Sequence, residues 1–409
     1  MKSVEERERK DRIRKRVLEQ VPVDSEIDEN RLIQIIDQNI GRDRGKEYLR
    51  YADKKRLRTE IFNSMRKMDV LQELLEDEEI TEIMVNGPEH IFIEKAGRLL
   101  ETELEFDSLE RLSDIAQQIA SAGNRIVNET NPILDVRLAD GSRVNIVMPP
   151  ISLEGPVITI RRFPKEPLTM AKLIDMEALS EEAAELLRKL VEAKYNIFIS
   201  GGTGAGKTTF LNILSNYIPE DERVVTIEDS AELQIQRVKN LVRLETRNAN
   251  MEGKNQITIR DLIKSALRMR PDRIVIGEIR DSTAIDMLTA MNTGHDGSLS
   301  TGHANSPLDM LNRLETLVLM GMEIPLEAIR QQIASAIDIV VHLGRLRDRS
   351  RKVLGICEVG CVEKGSIRLY PLFQFVEQGE CGGRVVGSLE NTGHRLINND
   401  KWVKAGIGI

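Results

Sequence analysis

Aromatic side chains are scarce in this 409-residue chain: Phe, Trp and Tyr together make up 3%, with a single tryptophan. Base-stacking platforms for single-stranded nucleic acid are therefore not expected. Positive charge is not in excess either. Fifty-eight Lys and Arg against 66 Asp and Glu leave a formal net charge of −8, with a pI near 5.5. A general nucleic-acid binder, whose affinity rests on cations neutralising phosphates, is disfavoured. The cysteines, Cys357, Cys361 and Cys381, are an odd set without a disulfide framework, which fits a reducing compartment. Their spacing matches no strong zinc template, and they are read as small buried side chains. No apolar run approaches the ~18 residues of a membrane-spanning helix. The charged stretch Met1 to Gln20 has no apolar core of a secretory signal. The chain is thus expected to have no direct membrane span, and any membrane contact to run through a partner.

What is present is an ordinary folded composition, 41% apolar and 30% charged, in a length that suggests two or three domains. Residues 1–62 are highly charged, with helical apolar spacing at Leu32, Ile35, Ile36 and Ile40, and read as an exposed helical arm. Residues 63–163 read as a compact α+β domain. The hairpin signal Asp140-Gly141 lies between two of its strands, and a helix carrying Leu112, Ile115 and Ile119 is capped by Asp107 or Ser108. Residues 164–179, with Pro164 and Pro167, read as a linker. Over 180–350 short apolar runs alternate with helices: Ile197 to Ile199, Val224-Val225 and Ile274 to Ile276. That order predicts an α/β nucleotide-binding domain built on a parallel sheet. Residues 351–409, Gly-rich with short strands, read as a small appendage.

Four segments carry chemistry. Gly201-Gly202-Thr203-Gly204-Ala205-Gly206-Lys207-Thr208 is a full G-x4-G-K-[ST] match, following an apolar strand and opening a helix. Its backbone N–H groups, with those around Thr209, are expected to wrap phosphates, Lys207 to reach the β- and γ-phosphates and the Thr208 hydroxyl to bind Mg²⁺. The run Val224 to Ile227 delivers Glu228 and Asp229 to a strand end. Phosphoryl transfer to water needs a carboxylate there, and Glu228 is the choice over a mere helix-capping acid. The strand Ile274 to Ile276 presents Glu278 as a metal-holding or catalytic acid, with Gly277 where aspartate is usual. Arg268, Arg270 and Arg280 lie nearby, as surface charges or as partners for a neighbouring subunit's phosphate. Finally, two of five histidines fall in Gly294 to Ser306, where His303 is read as a γ-phosphate sensor.

In this order the four stretches resemble the secretion ATPase superfamily of type II and type IV secretion and type IV pili. They correspond to its P-loop, Asp box (224–232), Walker B variant (274–278) and His box (297–306). The chain is most similar to the CpaF-type motors of Tad (Flp) pilus systems, through Ile80 to Pro88, Leu138 to Val144 and Ala290 to Gly297. The resemblance implies a RecA-like P-loop motor domain preceded by a smaller N-terminal domain. It also implies a cytoplasmic homo-hexamer hydrolysing ATP with Mg²⁺, and an inner-membrane platform protein as partner. Arg143, Arg161 and Arg162 fall in stretches from which N-domain arginines complete the nucleotide site. Two departures stand out: Arg247-Asn248-Ala249-Asn250 replaces a proline-rich turn, and Gly302 a β-branched residue. Two other classes stay open, a DNA-translocating P-loop motor and a nucleotide-binding scaffold with little turnover.

Overall fold

The computed structural model describes residues 4–21, 27–43, 49–95, 97–162, 167–247, 249 and 254–406. The chain divides into two compact units, Met1–Lys165 and Glu166–Ile409.

The first unit begins with three helices, α1 (Val4–Gln20), α2 (Glu29–Arg42) and α3 (Tyr51–Arg66). The apolar stripe of α2 has a partner. Leu32, Ile36 and Ile40 pack with Ile13 and Val17 of α1 and Leu57 and Ile61 of α3 in a small buried core. The exposed arm expected from the charge density is therefore a helical cluster. One of its charges serves as an anchor: buried Lys10 Nζ lies 2.7 Å from Asp107 Oδ2 and 4.0 Å from buried Asp69 Oδ1. Nor does the chain break at 62, because α3 runs through it.

After α4 (Leu71–Glu76) come β1 (Ile80–Asn86), β2 (His90–Lys95), β3 (Arg98–Glu101), α5 (Leu109–Ala122), β4 (Ile133–Arg137), β5 (Arg143–Val147) and β6 (Val157–Arg161). They form a sheet of order β3-β2-β1-β6-β5-β4, antiparallel throughout. Alternation places Ile83, Val85, Ile91, Val144, Ile146, Ile158 and Ile160 in one core with Leu112, Ile115 and Ile119 of α5. Of the two candidate caps, Ser108 accepts from Arg111 N–H. The expected turn closes at Gly141 (φ 92°), with the Asp140 carboxylate holding Ser142 through its N–H and hydroxyl. The expected closing pair Phe163-Pro164 lies outside the described residues.

The second unit opens with α6 (Met170–Asp175), so part of the expected linker is helical, and continues through α7 (Glu181–Glu192), β7 (Ile197–Gly201), α8 (Lys207–Ser215), β8 (Arg223–Glu228), β9 (Asn240–Glu245), α9 (Ile259–Ala266), β10 (Arg273–Ile276), α10 (Ala284–Asn292), β11 (Leu299–His303), α11 (Pro307–Leu319), α12 (Leu326–Ala336) and β12 (Ile339–Arg345). The chain then turns through β13 (Arg351–Glu363), β14 (Ser366–Cys381), β15 (Arg384–Asn391) and α13 (Asp400–Lys404). Sheet order is β15-β14-β13-β12-β7-β11-β10-β8-β9. From β12 to β9 the pairings are parallel; β13, β14 and β15 add antiparallel hairpins. The tail is thus no separate appendage but a third of the sheet, which is mixed rather than wholly parallel. Of the cysteines, Cys357 is buried whereas Cys361 and Cys381 are exposed, correcting the expectation of three buried side chains.

Residues of β7 and β10 are buried throughout, because helices cover both faces. One core gathers around α7 and α8 and the other around α9 to α12. Two buried polar groups fix the amino ends of the strands. Asn196 Oδ1 accepts from Gly297 and Ser298 N–H while its Nδ2 donates to Ala336 O. Arg273, wholly buried, grips the Glu222 carboxylate at both oxygens (2.5 and 3.0 Å) and the Val191 carbonyl. With these ends pinned, the opposite ends are held in register, and that is where ligands bind in open α/β sheets.

Candidate nucleotide-binding site

Four adjacent parallel strands, in the order β7-β11-β10-β8, end side by side. From their carboxyl ends come the P-loop, His303, Glu278 and Glu228. The motifs read separately along the chain are therefore one constellation in the second unit.

The loop from Gly201 to Gly206 joins β7 to α8. Gly204 (φ 71°) and Gly206 (φ 91°) take left-handed conformations that suit glycine. Gly206 caps α8 with no side-chain hydrogen bond, so the N–H groups of the first helical turn are not taken up by a capping side chain, an arrangement that favours anions in general. Gly202, Thr203 and Gly204 are exposed, Ala205 is buried, Thr208 is half-buried at the helix start and Thr209 is exposed. Lys207 is buried and folds back, donating from Nζ to Gly201 O (3.1 Å) and Gly202 O (3.0 Å).

Lys207 Nζ also lies 3.3 Å from His303 Nδ1. Burial lowers the His303 pKa, so the ring is neutral near pH 7. Its Nδ1 accepts from Lys207, which leaves the proton on Nε2. That nitrogen stands 2.7 Å from Glu278 Oε1, which is buried. Arg280 donates to Oε2 at 2.6 Å, so it serves the same carboxylate, while Arg268 and Arg270 are exposed.

Glu228 is the most perturbed acid of the site. Its Oε1 accepts from the N–H groups of Glu232 (2.8 Å) and Leu233 (3.0 Å), while Oε2, also buried, has no hydrogen bond. Burial outweighs those two donors and raises its pKa to about 7. Gly277 explains itself here. A Cβ at that position would stand 3.1 Å from Glu228 Cγ, so the residue that replaces the usual aspartate makes room for the glutamate. Gly302 is explained by packing too, since a Cβ there would meet Met310 Cε at 2.9 Å and Phe198 Cε1 at 3.0 Å. The other departure lies partly beyond reach: Asn248 and Asn250 fall outside the described residues.

Arg143, Arg161 and Arg162 belong to the first unit. Arg143 and Arg161 are register partners on β5 and β6. Arg162 is turned to the carbonyls of Asp77 and Ile80, holding its own sheet. Sequence reasoning missed Arg351, at the start of β13, whose Nε donates to Gly204 O at 2.9 Å. It also missed His342, buried on β12 with Nδ1 2.9 Å from Ser200 Oγ. Neither stands in a motif, and Arg351 sits in a stretch, Arg345 to Lys352, that reads as surface charge.

The family description "Type II/IV secretion system protein" matches residues 65–383. The chain belongs to that family. A putative conjugal transfer protein of Mycobacterium tuberculosis is 34% identical to this secretion-family chain over 293 residues, 70% of this chain and 83% of the relative. The type IV secretion system protein VirB11 of Bartonella henselae is 30% identical, covering 69% and 89%. The X-ray structure of the ATPase DotB of Legionella pneumophila shares the fold, with a TM-score of 0.50 at 24% identity over 70% of this chain and 79% of that one. With its P-loop and strand-end acids, this family member is an ATPase. Among the described residues, no helix is long and apolar enough to cross a membrane.

Proposed function

We propose that this ATPase works as a homo-hexameric motor that powers assembly of a Tad (Flp) pilus or a closely related type II/IV secretion machine. It would act in the cytoplasm, on the inner face of the membrane, against a platform protein. The observation that carries the reading is the buried carboxylate oxygen Glu228 Oε2, left without a hydrogen bond on the strand end beside the one that presents Glu278. A buried polar atom without a partner is costly, and a site that keeps one at a strand end is prepared for a ligand that supplies it.

ATP and magnesium fit these residues. Residues 202–209 would cradle the phosphates through backbone N–H groups, Lys207 exchanging its contacts with Gly201 and Gly202 carbonyls for phosphate oxygens. Thr208 and Glu278 would hold the metal, whose charge offsets that of the polyphosphate. Glu228, near neutral pKa, accepts the proton of the attacking water at Oε2. His303, losing Lys207 as donor when that lysine moves, registers the change and passes it to Glu278. Arg143 and Arg161 are the better of the three N-terminal arginines for a nucleotide contact, since Arg162 is already committed to carbonyls. Cycles of binding and hydrolysis would then move the N-terminal unit against the motor unit.

A second reading, a type IV conjugation or secretion motor, is favoured by the names of the relatives. A deletion strain separates the two, by loss of surface pili or of conjugal transfer. The nucleotide reading is tested by calorimetry, sizing and turnover of wild type and Lys207→Ala. Wild type should bind Mg-ATP and assemble to a hexamer, and the variant should lose binding at least tenfold, as expected when a charged hydrogen bond to phosphate is removed. A monomer turning over equally well with Lys207→Ala would sink it.

A further inference from the structure

The P-loop is bracketed from the side by the β12–β13 hairpin. A Cβ on Gly201 would stand 2.5 Å from Leu343 O of β12, so the loop begins against that strand. Its crest is held by the next one: Arg351 Nε donates to Gly204 O at 2.9 Å. The arginine stem runs over the start of α8, with Cδ 3.7 Å from where a Gly206 Cβ would be.

The platform under this arginine is stiff. Asp348 braces the turn into β13, accepting from Ser350 N–H and hydroxyl and from Val385 N–H. The two residues after Arg351 are fixed as well: buried Lys352 donates from Nζ to Glu177 O at 2.8 Å, and Val353 N–H donates to Ala178 O at 2.8 Å.

The Gly204–Ala205 peptide is held at both ends, with Ala205 N–H bonded to Gly202 O at 3.3 Å and the Gly204 carbonyl bonded to Arg351. A carbonyl that turned inward at this point would put a negative dipole in the phosphate cradle. A guanidinium clamping it outward does the opposite, and adds a fixed positive charge beside the polyphosphate.

We propose that Arg351 is a positioning residue for nucleoside triphosphate, acting through the Gly204 carbonyl to keep the P-loop amides facing the phosphates. This rests on the nucleotide-binding reading above. Because Arg351 is exposed and belongs to no buried core, removing it should change ligand affinity without changing the fold.

The test compares wild type, Arg351→Met and Arg351→Gln as full chains, in steady-state ATPase assays and in calorimetric titrations with Mg-ATP. The Met variant keeps the stem over Gly206 and loses the clamp. Its KM should rise roughly ten- to a hundredfold, the effect of losing a charge-assisted hydrogen bond. Saturated kcat should stay within about threefold, because Glu228 and Glu278 are untouched. Melting of the nucleotide-free protein should not move, whereas a merely structural role would lower it. The Gln variant keeps an N–H donor without the charge and should fall at the low end of the same range. A Met variant with wild-type KM overturns the proposal, and if that variant does not fold, a wild-type KM in the Gln variant does so. Wild-type protein that takes up no Mg-ATP at all would refute the nucleotide reading instead.

Discussion

Replacing Glu228 by glutamine removes one proton acceptor and almost nothing else. The amide oxygen can still accept from Glu232 and Leu233 N–H, and the amide nitrogen takes the place of an oxygen that has no hydrogen bond in the resting site. Turnover should fall about 10²- to 10⁴-fold, the usual contribution of a general base, with Mg-ATP binding retained. Stability should move the other way. Burial raises this carboxyl from its ordinary 4.5 to about 7, so the folded protein holds the proton more tightly than the unfolded chain. Stability is then full below about pH 4.5, falls as pH rises from there to about 7, and is constant above. At about 1.4 kcal/mol per pH unit across that gap, the charged glutamate costs about 3 kcal/mol at pH 8. Glutamine carries no such cost. Scanning calorimetry should show the motor unit of Glu228→Gln melting roughly 5–10 °C higher than wild type at pH 8, with the difference gone near pH 4.5. A variant that melts lower at pH 8, or that hydrolyses ATP at the wild-type rate, would refute the reasoning.

Two further substitutions probe the frame that holds the site. Arg273→Met takes the two-point grip of the buried guanidinium from the Glu222 carboxylate and leaves it Lys194 Nζ at 3.6 Å, and urea unfolding should show a loss of about 3 kcal/mol, the low end for a broken buried pair. The double variant Arg273→Met, Glu222→Leu should recover much of it, because no charge is left buried alone. Gly302→Val drives a side chain into Met310 and Phe198 and should cost about 1–3 kcal/mol by overpacking; adding Met310→Ala should restore part of the melting temperature.

How much of this was legible in sequence depended on whether the signal was local. The P-loop could be read because an apolar strand, a glycine loop and a helix start are contiguous. The Ser108 cap and the Asp140-Gly141 turn are likewise set by neighbouring residues. Strand order is not local. That His303 falls between Lys207 and Glu278 follows from β11 inserting between β7 and β10, a pairing fixed by tertiary packing. The helical cluster at the N-terminus was hidden because α1 mixes its buried Ile13 and Val17 with a run of charges, of which Lys10 finds its acids beyond the three helices. The tail was misread for a related reason. Glycines lower strand propensity, yet β13 to β15 form by hairpin addition to β12, where backbone pairing decides. Arg351 escaped because its partner is a carbonyl 147 positions away, and nothing in its neighbours marks it.

The space beneath Glu228 is shared with position 277. A side chain at 277 begins 3.1 Å from the glutamate's Cγ, and the glutamate has no slack, being buried and tied to two N–H groups. An aspartate restored at 277 therefore asks for a shorter or displaced acid at 228. The two positions form an epistatic pair: each tolerates change only in the background the other provides. Descendants of this chain that regain the aspartate should carry a compensating change on the neighbouring strand, and those that keep the glycine should keep the glutamate.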